Sequence, residues 1–100
     1  NADGESLLHA YTNLLKRKEG KKVLIVLSDG SPASSAGYDD DAFLFKIAKA
    51  IQDEGRVRLY GIGIMDRNVE RYYRNRCTIK SANELEDKLM GVVRDQLLEV

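Results

Sequence analysis

The chain has 100 residues, with 16 basic and 16 acidic side chains that cancel to a formal charge of zero. This length fits one small domain, and a neutral chain has no overall field to attract nucleic acid or an anionic membrane. Cys77 is the single cysteine, which excludes an internal disulfide and a cysteine-rich zinc site and favours a reducing, cytoplasmic location. No apolar run is long enough to span a bilayer, and the polar N-terminus does not resemble a signal peptide.

A first helix is predicted over residues 1–20. Its apolar side chains recur at helical spacing: Leu7, Leu8, Tyr11, Leu14 and Leu15. Asn1 or Asp3 can cap the start, and Gly20 can close the end. The cations at 16–18 are then expected in the last turn, where the helix dipole favours them.

A strand, a loop and a second helix follow. The continuous apolar segment 23–27 predicts a strand covered on both faces, as in parallel sheets. A turn sequence ends this strand, and residues 31–41 form a polar loop of a length that is often functional. Apolar spacing over 43–51 predicts the second helix, ending at Gly55. The acidic run 39–41 at its start is better explained by capping and dipole compensation than by a metal cluster.

The second half of the chain repeats this alternation. Residues 57–64 predict a strand, and a short helix is expected from Asp66 or Asn68 to Arg74. A short third strand at 77–79 precedes a capping-box sequence at 81–84 and a last helix. The predicted fold class is therefore α/β, a three-layer α/β/α sandwich with parallel strands. Because three strands make a narrow sheet, we expect further strands upstream or self-association through an exposed sheet edge.

Asp29 is the first candidate for a functional residue. Ligands of parallel α/β sheets bind beyond the carboxyl ends of the strands, where the loops 28–31, 65–68 and 80–81 and the start of the first helix are expected. A carboxylate fixed at the end of a buried strand suits a hard cation, and nearby oxygens could complete the set: Ser28, Ser31, Asp3 and Glu5. A tight turn in which Asp29 bonds its own backbone explains the residue equally well. The residue types alone leave both interpretations open.

Segments along nearly the whole chain resemble one known family. They are NADGESLL at 1–8, VLIVLSDGSP at 23–32, YGIGI at 60–64 and VERYYR at 69–74. Their order and spacing are similar to those of the von Willebrand factor A-like (vWA) domain at the C-terminus of the cobaltochelatase T subunit. The first and last of these segments are more specific to the chelatase branch than the strand with Ser-Asp-Gly. The resemblance implies a Rossmann-like vWA fold, of which residues 1–100 would be the C-terminal portion, with the N-terminal part missing.

The resemblance also implies a site and a role. Asp29 matches the aspartate of a metal-ion-dependent adhesion site, and Asp3 falls in the segment where related domains place a threonine ligand. Such domains usually hold a divalent cation at this site, so Mg²⁺ is the expected cofactor. The Asp-x-Ser-x-Ser loop of the family would lie upstream of Asn1, which leaves the metal site incomplete here. The implied role is a non-catalytic interaction module of a cobalt-inserting complex. Its expected partners are the AAA+ ATPase subunit and the large chelatase subunit.

An alternative is a small α/β hydrolase or nucleotide-binding domain that uses Asp29. The sequence lacks a Gly-x-Ser-x-Gly elbow, a phosphate loop and an acid-base partner for Asp29. Gly61 and Gly63 fall within a predicted strand rather than after it, which favours a packing role over a dinucleotide fingerprint. His9 borders the apolar stripe of the first helix without a nucleophile pattern, and Cys77 is predicted to be a small core residue.

A basic, aromatic segment is the remaining candidate, with Arg67, Arg71, Arg74 and Arg76 beside Tyr72 and Tyr73. It could bind nucleic acid or an acidic partner. A solvated helix face with one tyrosine in the core is the simpler explanation. If the segment is functional, the neutral chain favours an acidic protein surface over nucleic acid.

Overall fold

The computed structural model describes residues 3–28 and 37–97, with side chains over 3–28 and 42–95. Four helices and three strands alternate in these residues, as the sequence predicted. In chain order they are α1 (Gly4–Leu15), β1 (Val23–Ser28), α2 (Gly37–Glu54), β2 (Arg58–Ile64), α3 (Val69–Tyr72), β3 (Asn75–Ile79) and α4 (Leu85–Leu97). A 3-10 turn, Ala82–Glu84, leads into α4 and carries the predicted capping box, in which the Ser81 amide donates to Glu84.

The three strands form one parallel sheet in the order β1-β2-β3. Ser28, the last residue of β1, lies opposite Gly63. At the end of β2, Ile64 lies opposite Ile79. All three carboxyl ends therefore meet at the same edge of the sheet, as expected for strands joined by helical crossovers.

Helices cover both faces of this sheet. On one face, α1, α2 and α3 pack against alternate residues of β1 and β2 in the larger core, which contains Leu7, Tyr11, Val26, Ala48, Ile51, Val57, Leu59, Val69 and Tyr73. On the other face, α4 places Val92 against Ile62 and Ile79. Because neighbouring strand residues point to opposite faces, the continuous apolar strands supply both cores. The arrangement is the predicted three-layer sandwich.

Three helix boundaries differ from the prediction. α3 ends at Tyr72 instead of Arg74, because Tyr73 is already extended. α1 ends at Leu15, with Lys16 as its C-cap, so the cations at 16–18 follow the helix instead of forming its last turn. After Leu15 the sequence has no apolar side chain to bury until β1, and tertiary packing supplies most helix stability. α2 begins at Gly37, inside the predicted loop, so the acidic run 39–41 lies within its first turns.

The free side of β1 is one of the two edges of the described sheet. Among the described residues β1 pairs only with β2, and Leu27 at its end is 42% exposed. Unpaired strand edges invite pairing with another segment. Self-association through this edge is consistent with that property and remains a prediction. No helix in the described part of the chain is both long and apolar enough for a membrane span.

Candidate functional site

Ser28 and Asp66 meet at the carboxyl edge of the sheet, and we call them the strand-end pair. The Ser28 hydroxyl donates a hydrogen bond to the Asp66 carboxylate at Oδ2. The other carboxylate oxygen, Oδ1, accepts the backbone N–H of Asn68 at 2.9 Å. Asp66 is only 6% exposed. A buried carboxylate with a hydrogen bond to each oxygen holds the ends of β1 and β2 at fixed positions.

The turn after β2 brings Asp66 back against the sheet. Met65 has a φ of 53°, the left-handed conformation that side chains other than glycine rarely adopt. The carbonyl oxygen of Asp66 then lies where a side chain on Gly63 would have to be. Gly63 therefore permits the close backbone approach that its place in the strand predicted. A strained turn retained beside a buried carboxylate is typical of functional sites.

Asp3 caps α1. Its Oδ1 accepts the backbone N–H of Ser6 at 2.8 Å, and hydrogen bonds from the Ser6 amide and hydroxyl lower the pKa of this carboxyl. The ring of Phe43, in the second turn of α2, lies where a side chain on Gly4 would have to be. Since α2 follows β1, this contact puts the start of α1 on the carboxyl-end side of the sheet, as the sequence predicted.

Asp29, the first predicted metal ligand, lies outside the described residues, as does Ser31. The residue before Asp29 is Ser28, the last residue of β1, so the end of this strand is described. Among the described residues, Asp3 supplies carboxylate oxygens at the start of α1, and Ser28 and Asp66 supply oxygens at the strand ends. Oxygen ligands suit a hard cation such as Mg²⁺. Within residues 3–28 and 37–97, no three His, Cys, Asp or Glu side chains group closely enough to hold a metal ion. Oxygen is the ligand type that a divalent cation prefers, but the described residues alone do not form a site for one. The prediction for Asp29 and Asp3 remains untested.

The role of Asp66 was not predicted from the sequence. Its position favoured a helix start, although the loop 65–68 was expected at the strand ends. One signal was available, because an aspartate often bonds the backbone N–H two residues later, as Asp66 does with Asn68. Its burial was not visible in the sequence, since burial depends on the left-handed turn at Met65.

The other candidates have structural roles in the described residues. Gly61 lies within β2 and faces the ring of Tyr73, which confirms a packing role over a dinucleotide fingerprint. Cys77 packs against the core beneath α4. His9 is on the exposed side of α1, where its Nε2 lies 3.1 Å from the side-chain nitrogen of Asn13.

Two cavities flank α3. The smaller, of about 30 Å³, is lined in part by Ser28, Asn68 and Val69, and it could hold one water molecule. The larger, of about 200 Å³, lies between α2 and the segment from α3 into β3. We call the larger cavity the α2–α3 groove.

Comparison with known proteins identifies the family. The family model described as "Cobalamin biosynthesis protein CobT VWA domain" matches residues 1–99. None of the solved structures compared with the chain matches it. The match covers nearly all of the chain, and the α/β sandwich with three parallel strands is compatible with a vWA-like fold. The chain belongs to the VWA domain family of the cobalamin biosynthesis protein CobT.

Proposed function

We propose that the chain is a protein-interaction module of a cobaltochelatase-type metal-insertion complex. It docks a partner subunit through a divalent cation, Mg²⁺, at the carboxyl edge of the sheet. Asp29 is the principal ligand, and Asp3 at the start of α1 is the second. The partners are the AAA+ ATPase subunit and the large chelatase subunit, in the cytoplasm. Membership of the cobalamin biosynthesis family supports this assembly.

The strand-end pair is the observation on which the proposed site rests. Ser28 directly precedes Asp29, and it is held by its position opposite Gly63 and by its bond to buried Asp66. A ligand that follows such a fixed residue loses little conformational freedom on binding a cation, which favours binding. When bound, the cation supplies a positive charge whose coordination sphere a partner carboxylate can complete.

Asp3 can serve this site without loss of its helix cap. Its Oδ1 accepts the Ser6 amide, and a carboxylate has lone pairs on both oxygens. The hydrogen bonds from Ser6 keep the pKa of Asp3 low, so the group remains anionic at neutral pH. An anionic oxygen at the carboxyl edge is what a hard divalent cation requires.

Calorimetric titration with Mg²⁺ and Mn²⁺ tests the proposal. Asp29→Asn is expected to weaken cation binding by at least about tenfold, since even outer-shell changes at metal sites cost that much. Asp3→Asn is expected to weaken it less while keeping the helix cap, because Asn caps as well as Asp. Asp87→Asn, which removes an exposed charge from α4, is the matched control and should change nothing.

Binding to the purified AAA+ ATPase subunit should require Mg²⁺ and should be lost on addition of EDTA or in Asp29→Asn. Binding that persists under both conditions would refute the cation-dependent docking. Turnover of a nucleotide or phosphoester by the protein, lost in Asp29→Asn, would instead support the hydrolase alternative.

A further inference from the structure

The α2–α3 groove is a preformed surface on the helical layer. Gln52 of α2 fixes its two walls, because its Nε2 donates to the Tyr72 carbonyl at 2.8 Å. Its Oε1 accepts the Arg74 amide at 2.7 Å. The groove lies beside the segment that enters the amino end of β3, whereas Ser28 lies at the carboxyl edge. It is therefore separate from the proposed cation site.

An aromatic pair, an exposed phenylalanine and a half-buried tyrosine, forms the apolar part of the groove. Phe45 is 44% exposed and meets Tyr72 edge to face, with ring centroids 6.5 Å apart. Tyr73 is buried beneath the groove, and this burial raises its pKa to about 12. An exposed phenylalanine beside a tyrosine offers a contact for an aromatic or aliphatic side chain of a ligand.

Positive charge surrounds this aromatic pair. Four cationic side chains line the groove, Lys49, Arg71, Arg74 and Arg76, and one acidic side chain, Glu70, lines it with them. Asp53, beside the lining, pairs with Lys49 and Arg74. The whole chain is neutral, so the charge is concentrated locally. An open groove in which one sign of charge predominates raises the local concentration of ligands of the opposite sign.

The arginines are oriented for recognition. The guanidinium of Arg71 stacks on Tyr72, 5.5 Å from the ring centroid. Arg76 Nη1 donates to the Tyr73 carbonyl at 3.1 Å. A guanidinium has several N–H donors in a planar fork, so an oriented arginine can bind a carboxylate with little loss of side-chain freedom.

We propose that the α2–α3 groove binds an acidic segment of a partner protein, in which carboxylates flank an aromatic or aliphatic side chain. The apolar side chain contacts Phe45 and Tyr72, and the carboxylates pair with Arg71 and Arg76. Nucleic acid fits less well, because Arg71 already covers a face of Tyr72 where a base would stack. Glu70 on the wall would also repel a continuous phosphate chain.

Fluorescence anisotropy with defined probes tests this proposal. The first probe is a labelled peptide of glutamates around a central Phe-Leu pair, and the second has glutamine at each glutamate position. A single-stranded RNA of similar length is the third. The acidic peptide should bind at least about tenfold more tightly than the glutamine peptide, and added salt should reduce that ratio.

Variants locate the binding surface. Arg71→Glu combined with Arg76→Glu should weaken binding of the acidic peptide at least about tenfold, and Phe45→Ala should weaken binding of both peptides. The matched control combines Lys88→Glu with Arg94→Glu, which makes the same charge change on α4. Circular dichroism and urea unfolding would show whether each variant folds. Asp29→Asn should bind the acidic peptide normally, which separates this proposal from the cation site.

Several results would overturn the proposal. One is an acidic peptide that binds no better than its glutamine counterpart, or fails to bind at all. Another is an equal loss of affinity in the α4 control, which would indicate attraction by charge alone. Tighter binding of RNA than of the acidic peptide, lost in the Arg71 and Arg76 variant, would assign the groove to nucleic acid instead.

Discussion

The strand-end pair and the α2–α3 groove both concentrate polar side chains, but they differ in their exposure to water. Asp66 is 6% exposed, and both of its oxygens accept hydrogen bonds from the protein. Arg71, Arg74 and Arg76 are all exposed, and their charges remain solvated. A buried polar group costs free energy when it loses a partner, whereas a solvated charge costs little. Changes at the strand-end pair should therefore alter stability, and changes in the groove should alter binding.

Asp66→Ala is the change with the largest expected effect. It leaves the Ser28 hydroxyl and the Asn68 amide without their acceptor. We expect the free energy of unfolding to fall by about 3 kcal/mol, since hydrogen bonds to charged groups contribute about 1.5–3 kcal/mol each and lost partners are costly. Urea unfolding followed by circular dichroism measures this loss.

Asp66→Asn provides the control for that substitution, because it keeps the shape and one acceptor oxygen. Its cost should be about half that of alanine. If both variants unfold at the wild-type urea concentration, the strand-end pair contributes nothing to stability, and the contrast with the groove disappears.

Gly63→Ala tests the backbone approach beside the same pair. Its methyl group would overlap the Asp66 carbonyl oxygen, so we expect a loss of about 2 kcal/mol, as for other overpacked cores. Gly91→Ala in α4 is the matched control, since no heavy atom lies within 4 Å of the added Cβ. Alanine favours a helix over glycine, so this control should gain up to about 1 kcal/mol. Equal unfolding midpoints for both variants would contradict the tight approach at Gly63.

The order of helices and strands could be predicted from the sequence because each element buries an apolar pattern of its own period. The strand 23–27 is apolar throughout, and its residues contribute to the cores on both faces, although Leu27 at its end is 42% exposed. The ends of the helices were less predictable. α2 begins at Gly37, before the first apolar residue of its predicted pattern, and the ends of helices are less sharply defined than their middles.

The rule that ligands bind at the carboxyl ends of parallel strands predicted the position of the loop 65–68, where Asp66 lies, but not which of its residues is buried. Beyond Ser28, the predicted loop 28–31 lies outside the described residues. The burial of Asp66 results from a single left-handed residue, Met65. Met65 is neither a glycine nor an asparagine, the residues that usually signal such a turn in a sequence. The groove likewise depends on Phe45 and Lys49 of α2 lying beside the arginine segment, and sequence spacing does not encode this contact.

Asp53→Asn should have the smallest effect. It tests whether a change beside the groove alters peptide binding without altering stability. Asp53 pairs with Lys49 at 2.8 Å and with Arg74, and hydrogen bonds from these two cations lower the pKa of its carboxyl. Both partners are exposed, so the urea midpoint should not move. Affinity for the acidic peptide should rise about two- to threefold, because the two cations no longer share their charge with Asp53. Asp87→Asn makes the same charge change on α4, and an equal rise there would mean that net charge, rather than the groove, governs peptide binding.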